Sequence, residues 1–369
     1  MRDAVIVEAL RTPVGTRDGK LSGIHPVDLS AHLLEALTQR TGIDPAVVDD
    51  VIWGCASGDI ARTAVLAAGW PESVPGVTVD QQAVHFAAAG LVAGRYDVVV
   101  AGGVESASRV ADPSGQDLYG ERYGHRYPGP PPHRGIAAEL VAQQWGFSRT
   151  QLDEFSLGSH EKAAAARDGG RFGCQLAPVV LPDGTLMDAD EGIREGGTLD
   201  TLGALRTVFR AEDDGGVITA GNGSPAGDGA AAMLMTTGER AVELGLTPIA
   251  RVHTAVAAGA DPVTMLTAPI PATEKTLARS GLNLGQIGAF EVDEAFAPVP
   301  LAWLKDIGAD ESLLNPNGGA IALGHPLGAA GARLLATLAH HMRDQDIRYG
   351  LATMSEGGGQ ANATILELL

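Results

Sequence analysis

The chain has 369 residues, 45% of them hydrophobic, enough to bury a large core in two or three domains. Its net charge of −19 argues against a nucleic-acid partner, because phosphate binding needs a basic face. Two cysteines, Cys55 and Cys174, are too few for a disulfide framework or a cysteine-based zinc site, so no metal is expected.

A reducing, cytoplasmic setting fits so few cysteines. The start MRDAVIVEALRTP does not read as a signal peptide, since Asp3 and Glu8 interrupt any apolar stretch. No apolar run approaches the roughly 18 residues of a membrane span, so no membrane partner is expected. An anionic ligand would have to be met by local donors such as helix N-termini or a few arginines.

AVIVEA opens the chain as a buried strand and turns at Arg11-Thr12-Pro13. PVDLSAHLLEALTQRTG puts Leu29, Leu33, Leu34 and Leu37 on one helical face, with Pro26 at its start and Gly42 past its end. A strand (DDVIWGCAS), a helix (IARTAVLAAG), a strand (VPGVTV), a helix (AVHFAAAGLVAG) and a strand (DVVVAGG) follow. Alternating strands and helices predict an α/β fold with parallel pairing and a sheet covered on both faces.

From about Asp112 to Gly216 the chain turns polar, with a Pro-rich cluster (YPGPPPHRG) and helical pieces, and reads as an inserted excursion on the surface. The α/β pattern then resumes through ITAGNGSPAGDGAAAMLM, a helix near PATEKTLARSG, the strand GAFEVDEAFA and the closing YGLATMSEGGGQANATILELL. AAAGLVAGRYDVVVAGGVES and GARLLATLAHHMRDQDIRYGLATMSEGGG share one series of helix, link, strand and glycine turn. That echo predicts an internal duplication.

Three motifs carry possible chemistry. NPNGGAIALGHPLGAAGAR holds His325 in a glycine-flanked turn ahead of a helix, where it can act as acid, base or oxyanion donor. A loop histidine bonded only for packing explains it equally well. MSEGGGQA ends a strand in Ser355, Glu356 and three glycines, whose N–H groups can face an oxyanion. EVDEAFAPV puts Asp293 and Glu294 at a strand end, where α/β sheets place ligands. Their plainer readings are a tight turn and a solvated strand end. His85 reads as a core or interface histidine. Cys55 reads as structural, and neither Cys55 nor Cys174 shows a cationic setting in the sequence. No G-x-S-x-G elbow is present, which removes the usual hydrolase reading.

Together these motifs resemble the thiolase family: acetyl-CoA acetyltransferases and 3-ketoacyl-CoA thiolases, closest to the degradative actinobacterial type. The resemblance runs from RTPVG through DVVVAGGVES and ITAGN to GGAIALGHPLGAAGAR and EGGGQANATILE, nearly the whole chain. It implies a thiolase fold: two duplicated α/β halves in five αβαβα layers, with an inserted loop domain that covers coenzyme A. The halves would be 1–112 with 217–246, and 247–369, and the loop domain 113–216. It also implies an acyl-CoA ligand, no covalently bound cofactor, a homodimer or homotetramer, and room for a partner protein.

In the family, a cysteine at the start of the helix that here begins near Ala83 attacks an acyl-CoA and forms an acyl-enzyme. The histidine of GHP activates it. A second cysteine, in C-x-G-G-G, moves a proton. An asparagine in N-E-A-F holds a water at the oxyanion. This sequence departs from all but the histidine. V-D-R-Q-C-G-S-G shrinks to VDQQ, so about six residues including the nucleophile have no counterpart. About eight loop residues are absent after GCAS. Ser355 stands at the second cysteine and Asp293 at the asparagine. Loss of loops alone would leave those two positions unchanged. His325, Glu294, the Gly357 and Gly358 turn and Ser224, which matches a serine near coenzyme A, remain.

The resemblance thus implies thiolytic cleavage or Claisen condensation of 3-ketoacyl-CoA, with the cysteine-dependent route impaired or lost. The alternatives are a cysteine-independent retro-aldol lyase, as some thiolase-like proteins are, and a non-catalytic acyl-CoA-binding subunit. Asp80 is expected to cap the shortened helix.

Overall fold

The structure is a computed structural model that describes residues 2–56, 58–109, 120–127 and 131–369. The strands are β1 (Val5–Arg11), β2 (Gly15–Thr16), β3 (Asp50–Gly54), β4 (Val77–Val79), β5 (Val98–Ser106), β6 (Val179–Val180), β7 (Leu186–Met187), β8 (Gly227–Thr236), β9 (Ala250–Gly259), β10 (Ala289–Val292), β11 (Tyr349–Glu356) and β12 (Gln360–Leu368). The helices are α1 (Pro26–Thr41), α2 (Ala61–Ala67), α3 (Ala83–Val92), α4 (Glu121–Arg126), α5 (Arg134–Trp145), α6 (Arg149–Asp168), α7 (Leu199–Gly203), α8 (Gly238–Glu243), α9 (Pro269–Ser280), α10 (Pro298–Ile307), α11 (Ala320–Leu323) and α12 (Ala330–Asp344).

One large sheet runs β10-β11-β12-β9-β1-β8-β5-β3-β4, with β2 beside β8. Its centre is a narrow seam: β1 meets β9 through only Val5 opposite Arg251 and Ile6 opposite Ala250. On either side of that seam the order repeats. β3 lies parallel to β5, β5 antiparallel to β8, and β8 antiparallel to β1. Likewise β10 lies parallel to β11, β11 antiparallel to β12, and β12 antiparallel to β9. The duplication read from the sequence is therefore present in the strand order.

The expectation of parallel pairing is corrected. Among the strand pairs of the described residues, only β3–β4, β3–β5 and β10–β11 are parallel. Helices do separate most strands in sequence, but β11 turns straight back into β12 through three residues, which only an antiparallel pair permits. β5 and β8 are joined by a long connection yet take the matching antiparallel geometry.

Two helices fill the space between the halves. α3 and α12 pack with β1, β5 and β8 on one side and β10 and β11 on the other, giving one core that includes Ala87, Leu91, Met233, Leu335 and Met354. α1 covers the first half from outside with Leu29, Leu33, Leu34 and Leu37 against Trp53 and Val100. α9 and α10 cover the second, with Trp303 beside Phe290. These are the five layers. α1 forms as its signals predict: Pro26 takes the first position, where a missing N–H costs nothing, and Gly42 ends it at φ 70°.

The excursion is not merely superficial. α5 and α6 bury Ala137, Val141 and Leu152 in a core of their own against α10. β1 fastens it: Arg11 forms a bidentate pair with Asp190 at 2.7 and 2.9 Å, and Nε donates to Gln175. Its expected start at 112/113 lies outside the described residues.

Candidate active site

The site lies where β10, β11, the turn before α12 and the entry to α3 converge. β10 ends at Val292, and the next backbone N–H, of Asp293, donates to Thr353 O on β11 at 3.0 Å. Asp293 is thereby fixed next to the β11 end that carries Ser355. The His325 N–H donates to Pro225 O at 3.0 Å, which holds its turn against the stretch before β8.

That turn reaches the first half through glycines. A Cβ on Gly103 would lie 2.0 Å from Gly328 O, and one on Gly328 would lie 2.4 Å from Val104 O. No side chain fits between these backbones. The Gly328 N–H donates to Glu105 Oε2 at 3.3 Å. A Cβ on Gly331, in the first turn of α12, would lie 2.8 Å from Gln81 O, so the α3 entry is equally close.

His325 Nδ1 stands 3.6 Å from Asp293 Oδ1, too far for a hydrogen bond but close enough for the carboxylate to attract the ring once it is protonated. Both side chains are buried. Among the described residues, neither ring nitrogen, neither Asp293 oxygen nor the Ser355 hydroxyl has a hydrogen-bond partner. Native interiors rarely leave so many buried polar atoms together without partners, which makes this cluster a place for a polar ligand or water. Burial lowers the His325 pKa; Asp293 opposes this, and Arg134 and Arg333 add to it. The ring is therefore neutral near pH 7, able to accept a proton.

Two more groups face this cluster from the core. Glu291, two residues before Asp293, is fully buried with no hydrogen bond, and burial pushes its pKa up to about 8 although Arg333 pulls it down. Arg333 on α12 is also buried and likewise makes no hydrogen bond among the described residues. At the rim, Glu356 accepts from Gln82 Nε2 at 2.7 Å and from Asn362 Nδ2 at 2.6 Å. Burial raises its pKa, with the nearby Asp80 charge acting the same way.

Not every residue singled out in the sequence points inward. Glu294 accepts from Ser159 Oγ at 2.7 Å, Asn315 Nδ2 at 2.8 Å and Ile321 N at 3.1 Å. Its carboxylate is engaged in tying α6 and α11 to β10. Ser224 Oγ donates to Ala295 O at 3.0 Å. Gly357 and Gly358 are exposed at the tip of the β11–β12 turn, with Gly358 at φ 71°. Asp80 does not cap α3. The N-cap position falls on Gln82, which makes no capping bond, and Asp80 sits two residues too early.

His85 on α3 is half-buried and paired: Nε2 lies 2.7 Å from Thr364 Oγ1, and burial lowers its pKa to about 4. Cys174 departs from expectation. Its carbonyl accepts from Arg40 and its thiol lies beside Arg343, so its setting is cationic. Both arginines come from distant helices, which no local pattern reveals. Sequence reading also missed Arg134, the first residue of α5. Its charge acts on Asp293 and Asp80, and a lone arginine after a Pro-rich stretch carries no signal of its own. Among the described residues no group of three or more His, Cys, Asp or Glu could hold a metal, and no helix is long and apolar enough to cross a membrane.

Residues 4–239 match the model of the thiolase N-terminal domain and residues 246–368 that of the thiolase C-terminal domain. The chain belongs to the thiolase family. It is 46% identical over 394 residues to a steroid 3-ketoacyl-CoA thiolase of Mycobacterium tuberculosis, covering 100% of this chain and 95% of that protein. It is 41% identical over 390 residues to a 3-ketoacyl-CoA thiolase of Erwinia tasmaniensis, with full coverage of both. The crystal structure of the acetyl-CoA acetyltransferase of Bacillus anthracis superposes with a TM-score of 0.91 at 35% identity, over 100% of this chain and 99% of that one. Alignments of 390 and 394 positions against a 369-residue chain leave gaps in it, and these exceed the about fourteen residues read as absent from its sequence.

Proposed function

We propose that this thiolase-family protein cleaves the C2–C3 bond of a 3-hydroxyacyl-CoA by a retro-aldol reaction, without an acyl-enzyme. The observation that carries this reading is the buried Asp293–His325 pair, whose polar atoms lack partners at the point where the α3 entry offers only Asp80, Gln81 and Gln82. Neutral His325 takes the 3-hydroxyl proton, and the Asp293 carboxylate stabilises the imidazolium. The C2–C3 bond breaks, and its electron pair passes into the thioester enolate. The proton returns to C2. The products are a ketone or aldehyde and a shorter acyl-CoA, and no free CoA is consumed.

The family's thiolysis fits these residues less well. Ser355 is far less acidic than a thiol, and a carboxylate at 293 opposes an oxyanion held there. The ligand in this reading is acyl-CoA, and the chain is a homo-oligomer. Val77 on the edge strand β4 is 43% exposed and Phe86 on α3 is 52% exposed, which favours a covering partner.

The test is incubation of the purified protein with 3-hydroxyacyl- and 3-ketoacyl-CoA substrates, with and without CoA, read by mass spectrometry of products and protein. Cleavage of the hydroxyacyl substrate without CoA and without an adduct is expected. CoA-dependent cleavage of the ketoacyl substrate, with an acyl adduct mapped to Cys55 or Cys174, overturns the reading. No product from any substrate overturns it in favour of a non-catalytic acyl-CoA-binding subunit.

A further inference from the structure

We propose that Arg134 is the oxyanion-binding residue of this site, taking the thioester oxygen as it becomes an enolate; this rests on the retro-aldol reading for its reaction. The first observation is where the residue stands. Arg134 is the first residue of α5, a 12-residue helix with no acid in its first turn. A cation there opposes the helix dipole. The helix does not need it for capping, since His133 Nδ1 accepts from Gly135 N at 3.1 Å.

Next is what aims it. His133 stacks on Phe209 at 5.1 Å, and Phe209 meets Phe296 edge-on at 5.9 Å. A Cβ on Gly135 would lie 2.3 Å from the Phe209 ring, so α5 presses onto it without a side chain between. Phe296 follows Asp293 by three residues. The start of α5 is thus clamped to the segment that carries the site carboxylate.

Third is its lack of engagement. Arg11 and Arg149 bind Asp190 and Asp153 directly. Arg134 makes no hydrogen bond among the described residues, although the charges of Asp293 and Asp80 act on it. It is half-buried, so a ligand can reach it, whereas Arg333 lies sealed beneath. A planar guanidinium with free donors suits an oxygen that gains a full negative charge.

Enolate formation can be read apart from C–C cleavage. The site base removes a C2 proton from a saturated acyl-CoA, the electron pair moves to the thioester oxygen, and reprotonation in heavy water leaves deuterium at C2. We would measure deuterium uptake by butyryl-CoA for wild type, R134Q and R134K, with butyryl-CoA affinity by calorimetry. Expected are exchange by wild type, a loss of about 10²-fold or more in R134Q with affinity changed only a few-fold, and partial recovery in R134K. Exchange by R134Q at the wild-type rate overturns the proposal. So does a loss explained wholly by weaker binding, which is what a merely structural role would give, and so does absence of exchange in wild type. Exchange that depends on Arg134 without cleavage of any hydroxyacyl-CoA sinks the retro-aldol reading and leaves this one standing. Cleavage and exchange both intact in R134Q do the reverse.

Discussion

The two central helices enter the same space in different ways. α12 arrives through Gly324 to Ala329, a turn held by backbone bonds and pressed between Gly54, Gly103 and Val104. It delivers His325. α3 arrives from β4 through Asp80, Gln81 and Gln82, with no capping bond and no residue that can attack a carbonyl. Each helix also carries one histidine with its pKa lowered to about 4, His340 buried on α12 and His85 half-buried on α3. The packing roles of the two helices have stayed alike while the chemistry at their entries has diverged. A junction can lose its reactive turn without losing its helix, because helix stability here comes from burial in the shared core.

The largest effect should fall on the entry that kept its turn. His325→Ala should lower C–C cleavage by about 10²- to 10⁴-fold with an unchanged circular dichroism spectrum. A loss below about tenfold would remove His325 as the base. Next comes the seam of glycines. Gly328→Ala puts a methyl 2.4 Å from Val104 O, where backbone must shift, and should cost about 3 kcal/mol or more in denaturant melts. Gly357→Ala meets nothing within 4 Å and should stay within about 0.5 kcal/mol.

The histidine pair sets a pH effect of intermediate size. His85 and His340 have folded pKa values near 4 against an ordinary 6.5, so the unfolded chain binds more protons between those limits. Stability should be fully present above about pH 6.5 and fall as pH drops toward 4. His85→Gln should flatten part of that slope in thermal melts across the window; an unchanged slope would show that other groups dominate it. Glu291 acts in the opposite sense: its pKa of about 8 means stability is lost as pH rises from about 4.5 to 8. The smallest effect is expected at the altered entry. Since Asp80 caps nothing, Asp80→Asn should change stability by about 0.5 kcal/mol or less, where loss of a working cap would cost about 1.

The sequence exposed the layers because buried strands and Ala-rich helices announce themselves by periodicity. Leu29 to Leu37 and the Pro26 and Gly42 punctuation fixed α1 closely. Strand direction was less legible, because alternation of elements suggests parallel pairing and says nothing of which strands finally sit side by side. His325, Asp293 and Ser355 stood in motifs and could be named. Arg134, Glu291 and Arg333 could not, since their significance lies in which charges face them across the fold. Glu294 showed the reverse: a residue in a motif whose carboxylate is taken up by Ser159, Asn315 and Ile321.

One connection in the fold has a consequence for stoichiometry. β11 returns to β12 through Gly357 to Gly359, whereas the equivalent return from β5 to β8 takes the chain from 107 to 226. A repeated fold would by symmetry present two mouths, one per half. Lengthening a single hairpin supplies Arg134 and the Phe209 clamp to only one half, so on the proposed reading one acyl-CoA per chain is the occupancy that calorimetry should return.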